Sequence, residues 1–103
     1  MAVNKKALNF ELLKFAGFTC TGGIWSYPDG VDVDNGVPFF PESMDESFKW
    51  LWDKAIDYIM TTFFENIGIE KARQALFNLW LRYINKGNKS ALAFCLAIKE
   101  LIK

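Results

Sequence analysis

The chain has 103 residues, 51% of them hydrophobic and 17% aromatic, so it can bury one dense apolar core, and we expect a single domain over residues 1–103. Twelve basic and twelve acidic residues leave no net charge, which argues against the long-range positive field used to bind nucleic acid or acidic membranes. With no histidine and only two cysteines, Cys20 and Cys95, the sequence excludes a disulfide framework and most zinc sites.

The first predicted element is a helix that starts at an Asn4 cap and ends at Ala16. Apolar residues recur between them at helical spacing, and asparagine is a preferred cap because its side-chain oxygen accepts a backbone N–H of the first turn. Gly17 follows, where a left-handed residue commonly ends a helix.

The next segment, residues 18–40, is predicted to form a small antiparallel sheet. β-Branched and aromatic residues concentrate there, and two prolines forbid a long helix. Residues 24–27 and 31–39 are the predicted strands, joined by a Pro-Asp-Gly turn, and residues 18–21 are a candidate third strand. The sheet should therefore have two or three strands.

Two long helices are predicted next. Ser43 and Glu46 fit a capping box, which begins a helix that should end near Asn66. A second helix should run from about residue 69 to 85, with an apolar arc wide enough for two packing neighbours.

A last helix is predicted to begin at Asn88 or Ser90, after Gly87 ends the one before it. It should be the most buried helix, because residues 91–98 are all apolar. The predicted order is α-β-β-α-α-α, and the predicted fold class is α+β, with a small antiparallel sheet packed between helices.

Four apolar and turn segments of the chain form a further pattern. They read LLKFAGF (residues 12–18), WSYPDG (25–30), SFKWL (47–51) and ALAFCLAI (91–98). Together they resemble the phage αβα-sandwich domain family. The resemblance implies a sheet held between helical layers and an origin in a bacteriophage or prophage, and it implies no defined reaction or catalytic residue.

The segment between residues 17 and 48 carries six carboxylates and no base. Turns and helix N-termini account for several of them, and residues 32–36 do not reproduce the spacing of a calcium-binding EF-hand loop, so no metal is predicted. If Asp32, Asp34 and Glu42 share one exposed face, they are predicted to steer a basic protein partner.

Some aromatic residues fall outside the predicted apolar stripes of their helices. Trp50 and Tyr58 are the ones we predict to contact a partner, and Phe64 and Phe77 share the same property. The alternative is that all four are buried, since helices that cover a sheet need wide apolar faces.

The sequence offers no recognisable catalytic apparatus. Cys20 lies beside glycines, but a nucleophilic thiol is normally activated by a base, and the chain has no histidine; Cys95 should behave as a small hydrophobe. The pair Gly22-Gly23 lacks the spacing of a phosphate-binding loop and is typical of a hairpin or bulge. We therefore predict that the protein is not an enzyme and uses no cofactor.

These patterns favour a small accessory protein that binds a protein partner without catalysis, and the resemblance implies that it belongs to a phage or prophage. A host factor is the expected partner, with modulation of a host process such as defence as the setting, and a homodimer is an open alternative. The other alternative is nucleic-acid binding by residues 66–103, which we call the basic helical half because seven basic residues there outnumber two acidic ones. Its candidate contacts include Arg73, Arg82, Lys86 and Lys89. No stretch reads as a membrane span or a signal peptide, so a cytoplasmic location is expected.

Overall fold

The structure is a computed structural model, and it describes residues 4–33, 36–62 and 68–102. Its elements in chain order are helix α1 (Lys5–Ala16), strands β1 (Thr19–Thr21) and β2 (Ile24–Ser26), a 3-10 turn (Phe40–Glu42), helix α2 (Met44–Ser47), a π-helical segment (Phe48–Trp52), and helices α3 (Asp53–Thr62), α4 (Ile69–Asn85) and α5 (Ser90–Ile102). The α+β class is confirmed. The predicted order is also confirmed, because α2, the π-helical segment and α3 form one uninterrupted helical stretch.

Helix α1 begins and ends where the local sequence predicts. Asn4 Oδ1 accepts the backbone N–H of Ala7 at 3.1 Å, and Gly17 has a left-handed φ of 102°. The N–H groups of Gly17 and Phe18 donate to carbonyl oxygens of the last turn. At both ends of the helix, backbone groups thus find hydrogen-bond partners among residues close in the sequence.

Strands β1 and β2 form a two-stranded antiparallel hairpin. Gly22 and Gly23 connect them, and both have a positive φ, which a two-residue type I′ turn requires. The predicted turn at Tyr27 is also present: its carbonyl oxygen accepts the N–H of Gly30, and the Asp29 side chain accepts the N–H of Val31.

The prediction of a strand over residues 31–39 is wrong for the described part of that segment. There, Asp32 forms a single isolated bridge to Ser26 and the chain then leaves the sheet. The cause is a buried side chain of α1: Asn9 donates to the Pro38 carbonyl oxygen at 2.9 Å and accepts the N–H of Phe40 at 2.8 Å. These bonds draw the chain towards α1 instead of β2.

The hairpin lies at the surface of the helical core. All three residues of β1 are exposed, while Trp25 of β2 packs edge-on against Phe10 of α1 with 5.6 Å between ring centroids. The sheet thus contacts α1 through Trp25 of β2, while β1 faces solvent. Three-residue strands rich in threonine and serine carry too little apolar surface to bury two faces.

Helix α5 forms the centre of the core, where it contacts the other helices and the 3-10 turn. Its buried residues are Ala93, Phe94, Cys95, Ala97 and Ile98. Burial raises the pKa of the Cys95 thiol to about 12, although a hydrogen bond with Ser47 opposes the shift. The thiol is therefore protonated at neutral pH and packs as a small apolar group.

Helix α4 has the bounds that the sequence predicts. Gly87 follows it with a φ of 98°, Asn88 Nδ2 donates to the Tyr83 carbonyl oxygen at 2.9 Å, and α5 begins at Ser90. None of the helices in the described part of the chain has the length and apolar content to cross a membrane.

Candidate partner-binding site

The π-helical segment Phe48–Trp52 places aromatic side chains on two sides of its helix. Leu51 is fully buried and points into the core. Phe48 and Trp52, four residues apart, contact each other with 5.7 Å between ring centroids. Trp50 lies between them in sequence and faces the other way, towards Tyr27. Single π turns in helices are frequent at functional sites.

A buried serine directly precedes the π turn. Ser47 is fully buried, and its hydroxyl donates to the carbonyl oxygens of Ser43 at 2.8 Å and Phe40 at 3.2 Å. Back-bonding of this kind perturbs the regular helix ladder. The Ser43 hydroxyl accepts the N–H of Glu46 as the capping box predicts. The reciprocal half of the box is replaced, because the Ser43 N–H donates to the Phe40 carbonyl oxygen and the Glu46 carboxylate accepts from the Trp50 indole at 3.0 Å.

Phe48 and Trp52 belong to a partly exposed surface that we call the aromatic patch. Phe48 is 45% exposed, Phe77 42% and Leu81 37%, while Trp52 and Trp80 are half-buried. Phe77 and Leu81 are four residues apart in α4 and therefore share one face of it. The patch consists of Phe48, Trp52, Phe77, Trp80 and Leu81.

The rings of the aromatic patch rest on the core through Phe94 of α5. Phe94 is fully buried and lies 5.7 Å from Phe48, 5.9 Å from Trp52 and 5.3 Å from Trp80, measured between ring centroids. Trp80 also contacts Phe77 at 6.0 Å, and its indole N–H donates to the Ser90 carbonyl oxygen at 3.0 Å. The patch is thus a fixed outward extension of the core.

Polar side chains border the aromatic patch on α4. Gln74 Nε2 donates to Asn78 Oδ1 at 2.9 Å, next to Phe77, and Arg73 is exposed one turn earlier. An apolar centre with a polar rim is the usual layout of a protein interface.

The three carboxylates predicted to steer a partner have different surroundings. Glu42 is exposed and lies 3.4 Å from the ammonium group of Lys5 at the start of α1. Asp32 is exposed beside the hairpin and accepts the Ser26 hydroxyl at 3.2 Å. Asp34 lies outside the described residues. A common acidic face made of all three stays a prediction.

The two predicted aromatic contact residues lie apart from the aromatic patch. Trp50 is half-buried, with its ring centroid 4.9 Å from that of Phe18. Tyr58 is half-buried and packs edge-on against Phe15 at 5.8 Å. Of the other two aromatics with the same property, Phe77 lies in the patch and Phe64 falls outside the described residues.

Phe48, Trp52 and Trp80 were not predicted as surface residues. Helical spacing places each of them on the apolar stripe of its helix, and such a stripe is expected to face the core. The width of the apolar arc on α4 was the available signal. Phe77 and Leu81 widen that arc beyond its main stripe, and an arc that is not fully covered leaves apolar surface in solvent.

The aromatic patch contains no cysteine and no acidic residue. Within residues 4–33, 36–62 and 68–102 there is no group of three or more cysteine or acidic residues that could hold a metal ion. Cys20 is exposed on β1, and Cys95 is buried in α5. The side chains of the aromatic patch are thus suited mainly to apolar contact.

The resemblance to the phage αβα-sandwich family involves packing and turn residues in four segments. The structure has a hairpin and helices at those segments, which agrees with the implied α+β fold and does not bear on a phage origin. Comparison with protein-family models, curated proteins and solved structures gives no match for this chain, so the resemblance stays a prediction.

Proposed function

We propose that the protein works by binding a protein partner, without catalysis, at the aromatic patch. The observation that carries this proposal is the partial exposure of Phe48, Phe77 and Leu81 on a surface continuous with the buried Phe94. Contiguous exposed apolar patches on small proteins commonly mark interaction sites, and aromatic residues are enriched at the centres of protein interfaces.

The tryptophan side chains of the aromatic patch are already ordered, which favours tight binding of a partner. Its tryptophans are held by Phe94, and Trp80 is also fixed by its hydrogen bond to Ser90. Side chains that are already ordered lose little conformational entropy when a partner covers them. A partner would therefore gain from burying the patch with a small ordering cost on this side.

A protein is favoured over nucleic acid because several basic groups of the helical half already have partners. Arg82 contacts Glu100 at 2.8 Å, Lys99 lies 3.7 Å from Glu11, and the Lys86 ammonium lies over the Tyr83 ring. These contacts reduce the charge available for phosphates, although exposed Arg73 lies beside the patch.

The identity of the partner is a further part of this proposal. The phage-family resemblance supports a host protein as the partner and modulation of a host process, such as defence, as the setting. A second copy of the chain is the alternative partner, because an exposed apolar patch can also form a homodimer.

The test is an affinity capture from bacterial lysate, followed by Kd measurement with the purified captured protein. The patch variant is Phe77→Ala/Leu81→Ala. The matched control is Ile24→Ala/Val31→Ala, which removes two aliphatic side chains that are still more exposed and lie outside the patch, in β2 and just after the turn at Tyr27. We expect the patch variant to weaken binding by about tenfold or more and the control to leave it unchanged.

Circular dichroism of both double variants checks that they are folded. Equal binding by the wild-type protein and the folded patch variant would overturn the proposal. Recovery of nucleic acid whose binding is lost with Arg73→Ala would assign the surface to the other partner class. Sedimentation of the protein alone tests the homodimer.

A further inference from the structure

Two shallow grooves flank Trp50, on the opposite side of its helix from Phe48 and Trp52. One groove, of about 330 Å3, lies between Trp50 and the segment 36–38. The other, of about 370 Å3, lies between Trp50 and the turn residues 28–29. Tyr27, Lys49 and Trp50 line both grooves, so the two form one continuous surface, which we call the Trp50 surface.

The aromatic rings of the Trp50 surface form a fixed ridge. The rings of Tyr27 and Trp50 are nearly parallel, with 18° between their planes and 5.8 Å between their centroids. The edge-on contact with Phe18 and the hydrogen bond from the Trp50 indole to Glu46 hold the ridge in place. Its two flanks are open and shallow.

We propose that the Trp50 surface binds a proline-rich segment of another protein in the polyproline II conformation, with a basic residue beside the prolines. Flat aromatic walls separated by shallow grooves are the means by which proteins recognise this conformation. The polyproline II helix has three residues per turn, so prolines one turn apart can enter the two grooves on either flank of Trp50. The other walls, Val37, Pro38 and Pro28, are apolar and fit a pyrrolidine ring.

The polar groups of the Trp50 surface complement such a ligand. A polyproline II helix makes no internal hydrogen bonds, so its carbonyl oxygens need donors. The Lys49 ammonium group lies 5.2 Å from the centroid of the Trp50 ring and can donate to them.

The charges around the grooves favour a basic flanking residue. Asp29 lines one groove and Glu46 lines the other, and together they outnumber the single ammonium group of Lys49. An arginine or lysine next to the prolines would meet a carboxylate at either end of the surface, whereas an acidic peptide would meet like charge.

The experiment is a fluorescence anisotropy titration of the full-length protein with three labelled peptides. The probe is a decaproline with one arginine at each end; the second peptide carries glutamates at the ends, and the third is a Gly/Ser peptide of equal length with the same two arginines. We expect saturable binding of the probe, binding of the glutamate peptide weakened by about tenfold, and still weaker binding of the Gly/Ser peptide. Absence of saturable probe binding, or equal binding of the Gly/Ser peptide, would overturn the proposal.

Variants and an NMR titration locate the site. Asp29→Ser retains a turn-forming side chain and should weaken probe binding, whereas Phe77→Ala should not change it. Because Trp50→Ala removes a core contact, the decisive measurement uses the wild-type protein: amide shifts on adding the probe should fall on Tyr27 and Asp29, on residues 36–37 and on residues 46–50. Shifts confined to the aromatic patch would contradict the assignment. The two sites are tested by different variants, so one proposal can fail while the other stands.

Discussion

Two glycines end helices in the same backbone conformation but in different surroundings. Gly17 follows α1 with a φ of 102°, and Gly87 follows α4 with a φ of 98°. A β-carbon at residue 17 would lie 3.3 Å from two carbons of the Pro28 ring, whereas one at residue 87 would meet no atom within 4 Å. Alanine at either residue carries the cost of a positive φ, about 1–2 kcal/mol, and alanine at residue 17 adds a contact that must be relieved.

We therefore expect Gly17→Ala to lower the free energy of unfolding by about 1 kcal/mol more than Gly87→Ala. Urea denaturation followed by tryptophan fluorescence measures both values. The comparison isolates the contact with Pro28, because both residues share the positive φ and the position after a helix. Equal losses in the two variants would contradict this explanation.

At the scale of elements, Asn9 connects α1 to the segment that leads into the 3-10 turn. Its side chain is nearly inaccessible, and it satisfies both the Pro38 carbonyl oxygen and the Phe40 N–H. Asn9→Ala would leave the buried Phe40 N–H and the partly buried Pro38 carbonyl oxygen without their partner, so we expect a loss of about 2–4 kcal/mol in the free energy of unfolding.

The control for Asn9 is Asn78→Ala, which removes an exposed hydrogen bond to Gln74 on the surface of α4. We expect that change to alter stability by less than about 0.5 kcal/mol in the same urea experiment. If the two variants had similar stability, Asn9 would not be the residue that holds this connection to α1.

The elements that the sequence predicted well are those specified by neighbouring residues. Asn4 and Gly17 bound α1 through bonds that span a few residues, and Gly22-Gly23 closes the hairpin through its own backbone angles. Capping and turn preferences of this kind can be read from short sequence windows.

The elements that the sequence predicted poorly depend on distant residues. Residues 31–39 have the composition of a strand, but Asn9 of α1 diverts the chain after the bridge at Asp32. The π turn at residues 48–52 likewise follows Ser47, whose hydroxyl contacts the carbonyl oxygen of Phe40, seven residues earlier. An apolar pattern alone reads as a regular α-helix there.

At the scale of the whole molecule, the π-helical segment separates two aromatic surfaces. Trp50 was predicted as a contact residue because it falls off the apolar stripe, and it lines the Trp50 surface. The aromatic patch was harder to foresee, because exposure depends on how far neighbouring helices cover a stripe, and periodicity does not report coverage. Phe48 and Leu51 lie three residues apart and so share one apolar stripe by helical spacing, yet Phe48 is 45% exposed and Leu51 is fully buried.

The last prediction asks whether the aromatic patch contributes to folding. Phe77 is 42% exposed and Phe94 is fully buried, although both contact Trp80. We expect Phe94→Ala to destabilise the protein by about 3–5 kcal/mol and Phe77→Ala by less than about 1 kcal/mol in urea denaturation.

Binding of an environment-sensitive dye such as ANS by the folded protein should decrease with Phe77→Ala, since the patch groups several exposed rings on one surface. It should decrease less with Val31→Ala, which removes an exposed side chain outside the patch. A loss of stability with Phe77→Ala as large as that with Phe94→Ala would make the patch part of the core. A small loss with reduced dye binding means that the ring contributes little to the fold while exposing apolar surface, and that surface remains available for a partner.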